Sequence, residues 1–201
     1  MRSTTAKWRF VLACTAGLAC SAGVTAAAPF TAEQLMASLA AQPDSVVAFT
    51  ETRHSSMLKE PLVTTGELRF KPPSTLERQV TTPYAERYLV EGDRVTIERP
   101  GTGAPRTLSL ASQPLLANLV ETIRALLRGD LQTLKRLYRV ELRGEPDNWA
   151  FTLLPSDPAM VEFVASVHVK GRAAALTEME VVEPNGDRTV THFARTHEAP
   201  R

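Results

Sequence analysis

Residues 62–97 read LVTTGELRFKPPSTLERQVTTPYAERYLVEGDRVTI. Leu62 to Phe70 and Leu76 to Val80 alternate apolar and polar side chains, the period of strands with one buried face. Tyr88 and Val90 then share a face, as do Val95 and Ile97, and Gly92-Asp93 between them suits a tight hairpin turn. The stretch therefore predicts successive antiparallel strands.

Upstream, Val47 and Phe49 carry the alternation back to about residue 46. Before it, Thr31 and Gln34 make a capping box, and Phe30 and Leu35 stand where a hydrophobic staple closes. Ala32, Leu35, Met36 and Leu39 line one face of that helix, which Pro43 stops. Downstream, a weaker strand is expected near Arg106–Leu110. Leu115, Leu116, Leu119, Val120, Ile123, Leu126 and Leu127 then recur at helical spacing between a Ser112 cap and Gly129, with Pro114 in the first turn. Asp130 caps a shorter helix carrying Leu131, Leu134 and Leu137. Strands resume at Tyr138–Arg143, Asn148–Leu154, Val161–Val169, Ala174–Glu183 and Arg188–Thr196, with a hairpin signal at Asn185-Gly186. The fold class is mainly β with α: a strongly curved antiparallel sheet of about eleven strands, with an N-terminal helix and a mid-chain helical pair near 112–137. A sheet this long must curl or close to hide its apolar face and its edges. The helical pair has two readings, a lid over a cavity or the filling of a solid core.

The composition is that of a globular domain: 201 residues, 43% hydrophobic, 22% charged, with 23 Lys+Arg against 22 Asp+Glu. It excludes disorder, collagen and coiled coil, and the near-neutral charge speaks against a nucleic-acid binder. No run of 18 uninterrupted apolar residues is present, so no lasting membrane span is expected. Arg2, Lys7 and Arg9, the apolar run Phe10 to Cys20 and the small residues Ala26-Ala27-Ala28 have the layout of a secretory signal peptide over 1–28. Pro29 is a poor first residue, so cleavage one or two residues earlier is an alternative. A single domain, 29–201, with a formal charge of −2 would remain, and its expected place is the periplasm. Leu18-Ala19-Cys20 faintly resembles a lipoprotein cleavage box, although Gly17 stands where leucine is wanted; lipidation of Cys20 is the alternative. Cys14 and Cys20 both lie in the leader, so the processed protein would contain no thiol and no disulfide. Its melting temperature should not respond to a thiol reductant; a large drop would show that both cysteines are retained.

Reactive groups are sparse. His54, His168, His192 and His197 form no HExxH or HxxxH arrangement, so no metal site is expected. No GxSxG elbow, GxGxxG or GxxxxGK[ST] occurs, which leaves hydrolase and nucleotide chemistry unsupported. Glu51 and Arg53 share a strand face with Phe49 and read as a solvated strand end rather than a catalytic pair. No catalytic residue and no cofactor are expected. An exported protein with apolar lining and no reactive centre suits the holding of a greasy ligand, since burying an acyl chain yields about 0.8 kcal/mol per CH₂.

Phe49-Thr50-Glu51-Thr52-Arg53, then Gly66-Glu67-Leu68-Arg69-Phe70-Lys71-Pro72, then Pro83 followed by Glu86 to Ile97, resemble the opening strands of the periplasmic outer-membrane lipoprotein carrier (LolA) family. The resemblance spans nearly the whole processed chain. It implies an unclosed β-barrel with a helical lid and a monomeric carrier that is not an enzyme. The carrier would shield lipoprotein acyl chains or another lipid-like molecule between an inner-membrane exporter and an outer-membrane acceptor. The implied ligand-binding residues are Phe49, Leu68, Phe70, Tyr88, Val90, Val95 and Ile97 on the sheet, and Leu116, Leu119, Ile123 and Leu127 on the lid. The family's strand usually ends in Arg-Pro, the arginine latching the lid. Here Lys71 precedes Pro72-Pro73, a point charge instead of a planar fork and so a looser latch. Gly92-Asp93 reverses the usual Asp-Gly, and the aromatic content is only 6%. These departures suggest a LolA-related paralogue with another amphiphilic cargo. The alternatives are a lipid-anchored outer-membrane acceptor of the same fold and a periplasmic hydrolase.

Overall fold

The computed structural model describes residues 29–42, 45–101 and 103–195. The leader reading, Cys14, Cys20 and His197 lie outside the described residues. The chain begins with α1 (Ala32–Ala40), followed by β1 (Ser45–His54), β2 (Leu62–Lys71), β3 (Thr75–Thr82), β4 (Glu86–Glu91), β5 (Arg94–Glu98) and β6 (Arg106–Ser109). Helices α2 (Pro114–Arg128) and α3 (Leu131–Leu137) intervene. Then come β7 (Tyr138–Glu145), β8 (Asn148–Pro155), α4 (Pro158–Val161), β9 (Ser166–Arg172), β10 (Ala175–Val182) and β11 (Arg188–Arg195).

All eleven strands form one sheet in the order β6-β5-β4-β3-β2-β1-β11-β10-β9-β8-β7. The first strand pairs antiparallel with the last, Phe49 opposite Phe193. Two meanders are thereby joined at the centre, and β6 and β7 are the edges, with no further strand paired to them among the described residues. The barrel is unclosed, as the sequence implies.

Local chemistry explains most boundaries. Thr31 and Gln34 complete the capping box: the Gln34 N–H donates to Thr31 Oγ1 (3.3 Å) and the Thr31 N–H to Gln34 Oε1 (3.1 Å). Gly129 ends α2 in the left-handed region at φ 68°. Three expectations shift. Gln113, not Ser112, stands at the N-cap of α2 and makes no side-chain bond there, because Leu110–Ser112 form a 3₁₀ turn capped by Ser109. The strand expected from Val161 begins only at Ser166, because Asp157 caps the Ala159 N–H and Pro158 opens the short α4. The Asn185-Gly186 hairpin is wider than a two-residue turn: Glu183 and Asp187 still bond across it (2.8 Å), and Gly186 takes φ 87°.

The apolar residues divide into two clusters. The larger joins α1 and the ends of α2 and α3 to β7–β10, with Leu126, Leu134, Phe151, Leu153 and Val169 fully buried. The smaller holds Phe70, Leu76, Val90 and Val95 of β2–β5 against Leu110 and Val120. Sixteen buried residues stand in the first and six in the second, so the helices are anchored mainly to the β7–β10 half. Ile123 packs against both.

Candidate functional site: the concave face of the sheet

Register determines which side chains face the helices. Phe49 lies opposite Gly66, Phe70 opposite Leu76, Leu76 opposite Val90 and Val90 opposite Val95, while Tyr88 lies opposite Ile97. Alternation then places all seven sheet residues expected from sequence on one face. Phe49, Phe70, Val90 and Val95 are buried, whereas Leu68, Tyr88 and Ile97 are half-buried. Leu116, Ile123 and Leu127 pack on the smaller cluster, Leu119 and Ile123 on the larger.

The same face carries charge that the apolar pattern does not announce. Arg78 on β3 lies opposite Leu68 and Tyr88, between the buried Leu76 and Val80. Its Nη2 donates to Glu51 Oε1 at 2.8 Å, and its guanidinium carbon stands 4.7 Å from the centre of the Phe49 ring and 6.0 Å from that of Tyr88. Gly66 makes room for this: a Cβ there would come within 3.0 Å of the Phe49 ring and 2.0 Å of the Gln79 carbonyl oxygen. Thr191 Oγ1 donates to the second oxygen of Glu51 (3.3 Å). A second pair flanks the first. Glu86 accepts from the Tyr88 hydroxyl and from Arg99 Nε, the latter at 2.6 Å. The Tyr88 hydrogen bond holds the Glu86 carboxyl below the ordinary carboxylate range, while burial pushes the Tyr88 hydroxyl up.

Helix α2 is tied to the sheet from its own side. Arg124, 6% exposed, donates from Nε to the Ser74 carbonyl (2.8 Å) and from Nη2 to the Gly92 carbonyl (3.0 Å). These carbonyls belong to the β2–β3 and β4–β5 turns. Burial lowers the Arg124 guanidinium from its usual value. Lys71, expected to latch the lid, is exposed and makes none of the bonds that hold α2 in this structure. At the β7 edge the Thr122 and Tyr138 hydroxyls are 2.7 Å apart, and Tyr138 donates to Asn118 Oδ1 (3.0 Å).

The opposite end of the sheet is apolar and exposed. Met57 and Leu58 of the β1–β2 connection, Leu62 at the start of β2 and Tyr84 of the β3–β4 turn reach solvent there, as do Val161 and Phe163 between β8 and β9. Among the described residues, open hollows sit at strand ends. One, of about 340 Å³, lies between residues 54–61 and 185–187; another, of about 400 Å³, lies beside Glu91–Arg94 and Thr107–Ser109. Ser55 gives its hydroxyl hydrogen to Asp187 (2.5 Å) instead of to an imidazole, and His168 and His192 are on the convex face. Among the described residues no group of three or more His, Cys, Asp or Glu could hold a metal ion.

Arg78, Glu51 and Arg124 are the residues that sequence reading did not assign to the site. Two of them leave a trace in the pattern. Arg78 occupies an inward position between Leu76 and Val80, and Arg124 sits within the apolar stripe of Val120, Ile123 and Leu127.

No curated protein matches the sequence. Several solved structures are similar to it at low identity. A LolA superfamily protein from Nitrosomonas europaea is 12% identical, with a TM-score of 0.44 over 86% of this chain and 96% of that one. A putative outer membrane lipoprotein-sorting protein domain from Vibrio parahaemolyticus is 9% identical (TM-score 0.45, covering 85% and 93%). The lipoprotein LppX of Mycobacterium tuberculosis is 11% identical (TM-score 0.44, covering 84% and 97%). Residues 24–199 match the model of a family described as outer membrane lipoprotein carrier protein LolA-like, which takes in every strand and helix described above. On that match the chain belongs to the LolA-like family.

Proposed function

We propose that this protein is a periplasmic carrier that binds and shields a lipophilic cargo on its way from the inner to the outer membrane. The observation that carries this reading is an open sheet whose concave face keeps Leu68, Tyr88 and Ile97 half-buried and carries a helix fastened by two hydrogen bonds. A folded core closes such residues off; a carrier keeps them available. The smaller cluster is the natural place for cargo to enter, because fewer buried groups must separate there than between the helices and the β7–β10 half. Arg124, in place of Lys71, is the latch. The inner-membrane exporter and outer-membrane acceptor are the partners this role requires.

Protein purified from its own periplasm should carry lipid detectable by native mass spectrometry, and the emptied protein should take up a hydrophobic fluorescent probe. Neither bound lipid nor probe uptake would overturn the reading. The mass of the processed N-terminus separates the soluble carrier from the membrane-anchored acceptor. Ala27, Ala28 or Pro29 at the start means soluble; an acylated Cys20 means anchored.

A further inference from the structure

The concave face is not uniformly greasy, and the charged groups on it are not equally engaged. Both oxygens of Glu51 already have donors, Arg78 and Thr191, and both oxygens of Glu86 have donors, Tyr88 and Arg99. Arg78 is the opposite case. Its guanidinium has five N–H groups, of which the described contacts use one nitrogen, Nη2, on Glu51. The side chain is 33% exposed, so the remaining donors are not sealed off. It is also held in place, stacked on Phe49 and pinned by Glu51, so little rotamer freedom is left to lose on binding.

A rigid guanidinium fork with free N–H groups, set among apolar residues, recognises a planar or tetrahedral oxyanion. Leu68 and Tyr88 lie directly opposite Arg78 on the neighbouring strands, which places apolar surface beside the charge. We propose that Arg78 binds the anionic head of the cargo, a carboxylate or a phosphate monoester, so that the ligand is an acidic amphiphile and not a neutral lipid. Glu51 then acts as a positioning residue: it orients Arg78 and keeps the empty face neutral. This rests on the carrier reading and specifies the chemistry of the ligand.

The test uses the processed protein and three probes with the same dansyl-labelled undecyl chain: the carboxylic acid, its methyl ester, and the phosphate monoester of the corresponding alcohol. The wild type should bind at least one acid form roughly tenfold or more tighter than the ester, the gain expected of a charge-assisted hydrogen bond. Whether the carboxylate or the phosphate gains more identifies which oxyanion the site favours. In the double variant Glu51→Gln/Arg78→Gln, which leaves no unpaired carboxylate, the preference should vanish, the acid forms binding no tighter than the ester. Arg78→Lys should retain part of it. Circular dichroism and melting confirm that the variants are folded. Equal binding of acid and ester by the wild type would overturn the inference and leave the carrier reading intact, as would an acid preference that survives in the double variant. Failure to bind any of the three probes would overturn both.

Discussion

Replacing Ile123 with glutamate should leave the protein folded but unable to bind a hydrophobic probe. Ile123 is half-buried where the two clusters meet. On one side its neighbours on the helix, Ala125 and Leu126, are fully buried and hold the larger cluster together without it. On the other side lie the six buried residues of the smaller cluster. A carboxylate drawn toward water there parts the helix from Phe70, Val90 and Val95. The lost packing and partial desolvation should cost about 2–3 kcal/mol. For a domain of this size that lowers the melting temperature by roughly 2–4 °C per kcal/mol. A variant that fails to fold would mean that the concave side is a close-packed core. A folded variant that binds probe normally would remove the α2 stripe from the binding surface.

Arg124→Met should have the opposite effect on binding, making the empty protein easier to enter. The substitution removes two charge-assisted hydrogen bonds to turn carbonyls while relieving the desolvation of a buried guanidinium, so the net loss should be about 1.5–3 kcal/mol and not the sum of both bonds. The closed state alone loses these bonds. That net loss falls on the closed state, so the open fraction should rise about 10- to 100-fold. The measurement is the rate of probe uptake by cargo-free protein, with deuterium exchange along residues 114–128 as an independent readout. Lys71→Leu is the comparison and should leave uptake unchanged. If Lys71→Leu accelerated uptake and Arg124→Met did not, the latch would belong on the strand.

The fold was legible because its signals are local and mutually consistent. Alternation, turn residues and caps marked the strands and the helices α1, α2 and α3 before any contact was known. Where reading failed, a tertiary contact or a capping choice decided. The Val161–Val169 run looks apolar enough for a strand, yet Asp157 and Pro158 start a helical turn that ends at Val161, and the strand begins only at Ser166. The charged half of the site was less legible. Arg78 and Glu51 lie 27 residues apart, and only the register of β1, β2 and β3 brings them to one face. Arg124 was visible as a polar interruption of a leucine stripe, but its partners are backbone carbonyls, which leave no mark in a sequence.

The pairing of β1 with β11 has a consequence for the time order of folding. These strands are about 140 residues apart along the chain, as the bond between Glu51 and Thr191 shows, yet they form the middle of the sheet. Contacts of such separation form late, since a long loop must close before they return any energy. A chain emerging from its N-terminus can therefore assemble the β1–β6 meander early, but β1 keeps one bare edge until residues 188–195 arrive. Thr191 reaches Glu51 at the same moment, so the anchoring of Arg78 is completed only with the last strand. A C-terminally clipped chain thus lacks the complete Arg78–Glu51–Thr191 arrangement, and the face is finished only when the last strand has paired.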